Sequence, residues 1–76
     1  MKNKQIETIK KICLKVKVER IKKEWSQEEL AERTNLNKNT IGRIERNDIT
    51  PSVESLIQLA DVFDMTLSEL VDISKI

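Results

Sequence analysis

Histidine and tyrosine are absent from this chain, and glycine, proline, cysteine, tryptophan and phenylalanine occur once each. Without histidine, and with Cys13 standing alone, there is no material for an internal disulfide, a cysteine-based zinc site or Cys/His nucleophilic catalysis. No metal or cofactor is therefore expected, and Cys13 reads as a small core residue rather than a redox sensor. A chain of 76 residues has room for one small domain, which must bury most of its apolar side chains to be stable. That leaves little room for a catalytic cleft, and no small-molecule ligand is evident, so the expectation is a binding module and not an enzyme. No apolar run approaches the roughly 18 residues of a membrane span. The lysine-rich start lacks the apolar stretch and small-residue cleavage site of a signal peptide. A cytoplasmic protein with no membrane partner is the simplest reading.

What is present is charge, unevenly placed. The formal net charge is only +1, but Met1 to Trp25 carries nine basic residues against three acidic, and Asn47 to Ile76 carries six acidic residues against Lys75 alone. The front of the chain could meet phosphates and the back would avoid them. Ordinary solvated helix faces would give the same counts.

The apolar pattern predicts helices and no strand. Ile9, Ile12, Cys13 and Val16 recur at spacings of three and four and predict a first helix from Ile6 to Lys23, with Arg20 on the same face. A second stripe runs Leu14, Val18, Ile21, Trp25, which must be covered either by the rest of the domain or by a partner. Ser26 is a natural N-cap, with Glu29 placed to return a bond and Trp25 and Leu30 placed to staple the start, so a helix from Gln27 to Thr34 is expected. Thr66 and Glu69 repeat the device before a last helix reaching Ile73. Asn37 caps Lys38 to Arg46, and Ser52 caps Val53 to Phe63, which makes five helices. The chain turns at Asn35, Asn47 and Asp64, residues that tolerate the left-handed conformation of helix C-termini. Gly42, the one glycine, is not a turn residue, since it falls inside the expected third helix, where it costs roughly 0.8–1.0 kcal/mol against alanine.

The helices Gln27 to Thr34 and Lys38 to Arg46 are joined by the three residues Asn35-Leu36-Asn37, a connection of the helix-turn-helix kind. Ser26-Gln27 before Leu30-Ala31, Ile41 in mid-helix, Ile44-Glu45-Arg46, Pro51-Ser52 and the closing Leu67 and Leu70 occur in one register. With Arg20 included, this pattern closely resembles the phage repressor and Cro-like helix-turn-helix family, of the xenobiotic-response-element type. The resemblance covers about residues 12–71 of a single domain spanning 1–76. Glu24 stands where relatives carry glycine before the aromatic residue, and Asn35, Asn47 and Asp64 replace glycines common at those turns.

The resemblance implies an all-α, compact five-helix, lambda-repressor-like domain whose third helix enters the DNA major groove. The residues suit that task. Ile41 and Ile44 supply an inward edge, and Ala31 lets the neighbouring helix cross closely. Lys38, Asn39, Gly42, Arg43 and Arg46 lie outward. Asparagine can pair bidentately with adenine, and lysine or arginine with guanine, so Lys38, Asn39 and Arg43 are the candidates for base readout. A bland polar face is the competing account of the same three. Gly42 would let the helix backbone approach the bases or sugars closely, unless it is merely tolerated there. Gln27, at a helix N-terminus, could grip a phosphate, as the matching residue does in the family. Asn37, Thr40, Arg46 and Asn47 are the remaining candidates for backbone contact, and Asn39 is also placed for a phosphate. Relatives bury an ion pair at the positions of Arg20 and Glu45, which implies a structural bridge between them.

A domain this small reads only four or five base pairs, so a homodimer on a palindromic double-stranded DNA operator is the economical route to specificity. Transcriptional regulation, by repression, is the expected function. An antitoxin or other protein-binding module on the same scaffold is the alternative. Leu70, Ile73 and Ile76, in the apolar tail, are the expected dimer surface, and the Leu14, Val18, Ile21 stripe is its competitor.

Overall fold

The structure, a computed structural model, describes residues 2–74. Five helices run in the order α1 (Lys2–Lys22), α2 (Gln27–Arg33), α3 (Lys38–Glu45), α4 (Val53–Val62) and α5 (Leu67–Leu70), with no strand among the described residues. Cys13 and Val16 of α1, Leu30 of α2, Ile41 and Ile44 of α3, Leu56, Leu59 and Ala60 of α4, Phe63 and Leu70 are buried together as one core. α2 packs on α3, α4 on α5, and α1 crosses both α3 and α5. Burial of Cys13 pushes its thiol above the ordinary pKa, which suits a core residue.

Each short helix is started by a side chain. Ser26, Asn37, Ser52 and Thr66 accept from the backbone N–H three residues on, at 3.0, 2.7, 3.0 and 3.0 Å. At Thr66 the box closes, because Glu69 Oε1 accepts from the Thr66 N–H at 2.8 Å. At Ser26 it stays half-made: Glu29 turns instead to Arg33, one helical turn on, at 3.5 Å.

Three helix ends share one closure. The N–H groups of Trp25, Asp48 and Met65 return to the carbonyls of Arg20, Arg43 and Ala60 at 3.2, 2.8 and 2.9 Å, and the residues before them, Glu24, Asn47 and Asp64, take φ of 60°, 61° and 58°. These are left-handed caps. Asn47 and Asp64 fill them as expected, but Asn35 does not. There Thr34 stops α2, its hydroxyl donating to the Leu30 and Ala31 carbonyls at 3.1 and 3.3 Å while accepting from the Leu36 N–H at 3.1 Å. Glu24 is the strained position, because glutamate lacks the short side chain that eases the left-handed region for asparagine and aspartate. Glu24→Gly should raise stability to urea by up to about 1 kcal/mol. An unchanged or lower midpoint would count against strain at this turn.

α1 and α5 differ from expectation. α1 begins at Lys2 rather than Ile6, and α5 stops at Leu70 rather than Ile73. After Leu70 the Asp72 carboxylate draws the chain into a turn, accepting from the Ser74 N–H at 3.0 Å and hydroxyl at 2.6 Å. Lys15 Nζ holds the end of α5 by donating to the Glu69 and Asp72 carbonyls at 2.6 and 2.8 Å. Of the dimer surface expected at the tail, Leu70 is corrected. Leu70 is wholly inside the core, because α5 packs against both α4 and α1, and it can meet no second chain. Ile73 is half-buried, and Ile76 lies outside the described residues.

Candidate nucleic-acid interface

The turn between α2 and α3 sets one face of the molecule. Capping by Asn37 fixes the start of α3, and Ile41 and Ile44 anchor its inner edge in the core. Lys38, Asn39 and Arg43 are thereby left exposed on the outer edge. Together with Gln27 of α2, Gly42 and Arg46 they line one shallow concavity. Three cations and two amides converge there with no carboxylate in the lining. Asn37 and Thr40 stand apart from it at the start of α3. Asn47 lies in a second recess with Ile6, Ile9, Asp48, Ile49 and Thr50.

Gly42 forms the floor of the concavity. It is buried, not an open outward position as the sequence suggested, because two side chains fold over it. A Cβ there would stand 3.0 Å from Arg46 Nη1 and 3.5 Å from Gln27 Oε1. Arg46, whose Nε donates to Asp48 at 3.0 Å, lies back across the helix in the space the missing side chain leaves. The closer contact is with the free end of a flexible side chain, so alanine is accommodated by a small shift. Gly42→Ala should therefore raise stability by up to about 1 kcal/mol through its better helix propensity, as read from urea melts. A loss of stability would mean that Arg46 cannot move.

Beneath this face lies the polar arrangement that holds it. Arg20 Nε donates to Glu45 Oε2 at 2.7 Å and Arg20 Nη2 to Glu45 Oε1 at 3.0 Å, a two-pronged pair tying α1 to the end of α3. Arg20 Nη1 also donates to the Trp25 carbonyl at 2.7 Å, bracing the α1–α2 turn. Gln27 Nε2 donates to Glu45 Oε1 at 3.1 Å. The acid of α3 is thus turned inward and neutralised, and the outer face keeps its positive sign. The sequence carried no signal for Gln27 as a member of this network or as a cover of Gly42, since both contacts span helices.

The helix-turn-helix family model matches residues 16–70 of the chain. The chain belongs to the phage repressor and Cro-like helix-turn-helix family. It is a DNA-binding transcriptional regulator of that general kind. No curated protein and no solved structure matches it. The helix-turn-helix is α2 and α3, and the concavity lies on it. The first turns of α1, before residue 16, extend beyond the matched region. No described helix is long and apolar enough to cross a membrane.

Proposed function

We propose that this regulator binds a palindromic DNA operator as a homodimer and represses transcription by occupying it. The observation that carries the reading is the concavity on α2 and α3, with Lys38, Arg43 and Arg46 but no carboxylate in its lining, Glu45 withdrawn beneath it and, of the three cations, Arg46 alone paired among the described residues, to Asp48. Lys38, Asn39 and Arg43 read base edges in the major groove, where arginine and lysine match guanine and asparagine matches adenine. Gln27, Asn37, Thr40, Arg46 and Asn47 hold the sugar-phosphate backbone, which fixes register and carries little sequence information. The covered floor at Gly42 lets the helix lie deep once Arg46 swings out to a phosphate.

Selection of bound duplexes from a random DNA pool tests this directly. The expected product is a two-fold symmetric motif with half-site centres about 10 base pairs apart, saturating at two chains per site. An enriched motif without symmetry, filled by one chain, would remove the homodimer. Failure to enrich any motif would remove base readout.

A further inference from the structure

Apart from Ile6, the large apolar side chains exposed among the described residues fall on two helix faces. Leu14, Val18 and Ile21 on α1 are 46 %, 36 % and 54 % exposed, and Val53 and Ile57 on α4 are 64 % and 52 % exposed. At 100° per residue the first three form one stripe with lysines on both sides, Lys10 and Lys17 along one flank and Lys11 and Lys22 along the other. Val53 and Ile57 form a shorter stripe beside Glu54 and Asp61. No ion pair among the described residues engages Lys10, Lys11, Lys17, Glu54 or Asp61. Within one chain α1 packs on α3 and α5 while α4 packs on α5, so neither face covers the other.

Both faces are short apolar stripes, and the charges that flank them oppose each other in sign. Stacking α1 on a second α1 would set lysine rows face to face, and stacking α4 on α4 would do the same with carboxylates, and like charges across an interface are costly. We propose that the α1 stripe of one copy docks on the α4 stripe of a second copy, and the α4 stripe of the first on the α1 stripe of the second, closing a two-fold pair. Such reciprocal contact is the isologous arrangement that ends in a dimer and not in a fibre. The inference rests on the homodimer reading and moves its surface from the tail to the α1 and α4 faces.

The test is sedimentation equilibrium on the whole chain and three charge-reversed forms, with far-UV circular dichroism to follow folding. Glu54→Lys with Asp61→Lys, and separately Lys10→Glu with Lys17→Glu, should each weaken the dimer by about tenfold or more. The fourfold variant carrying all of these reversals makes the faces complementary again and should recover most of the lost association, which also shows that the altered surfaces still fold. A dimer unchanged by both reversals, or weakened by them and not restored in the fourfold variant, overturns the α1–α4 pairing while leaving the homodimer standing. A wild-type chain that stays monomeric even on selected duplex DNA overturns both. An unchanged dimer with weakened binding to random-sequence DNA in Lys10→Glu, Lys17→Glu would assign those lysines to phosphates and likewise overturn the pairing.

Discussion

Arg20→Met should destabilise the domain by about 3–5 kcal/mol, the usual cost of stranding one charge of a buried pair. That is a large fraction of the roughly 5–15 kcal/mol that holds small domains together. The Arg20 and Glu45 side chains are 13 % and 2 % exposed, joined by two hydrogen bonds. The two single substitutions should not be equal. Removing Arg20 leaves the more deeply buried carboxylate with only Gln27 Nε2 as donor, and also frees the Trp25 carbonyl. Removing Glu45 leaves a guanidinium that keeps Trp25 and has a partial path to water. Glu45→Met should therefore cost less than Arg20→Met. The double variant should cost much less than the two singles added, because apolar side chains of similar volume can replace a buried pair at little net loss. Urea melts of the four proteins form the double-mutant cycle. Additive losses would show that the bond geometry contributes no coupling, and the tie between α1 and α3 would then have to come from Val16, Ile41 and Ile44 packing alone.

Arg43→Ala separates readout from folding. The Arg43 side chain is exposed and makes no hydrogen bond or ion pair among the described residues, so its loss should leave stability within about 0.5 kcal/mol of wild type. On DNA the same change should cost about 1–3 kcal/mol at the preferred site and relax discrimination at one or two base pairs. Gln27→Ala should weaken all duplexes by a similar factor, and should also lower stability, since Glu45 Oε1 loses one of its donors. Fluorescence anisotropy at one fixed salt concentration, on the selected site and its single-base-pair variants, gives both results. If Arg43→Ala and Gln27→Ala changed specificity alike, the division between reading and anchoring residues would be wrong.

The fold was legible in the sequence because its signals are local. Ser26, Asn37, Ser52 and Thr66 each act on an N–H three residues away, and the apolar spacing of Ile41 with Ile44, or Leu56 with Leu59, fixes which side of a helix faces inward. Helix order, the α2–α3 turn and the outer position of Lys38, Asn39 and Arg43 follow from that alone. The Arg20–Glu45 pairing was reachable only through the family pattern, since no local rule joins residues 25 apart. The end of α5 is held by Lys15, more than fifty residues away in sequence, and Leu70 is core because of what α5 packs against. Gly42 is a covered floor because Arg46 and Gln27, from two helices, happen to cross it. Likewise the two apolar stripes of α1 are equivalent in sequence, and only packing decided that Val16 and its neighbours are buried while Leu14, Val18 and Ile21 are left to solvent. Periodicity states that a helix has an apolar face. Which face the rest of the chain covers is decided by the relative placement of helices, a quantity set by contacts between residues far apart in sequence.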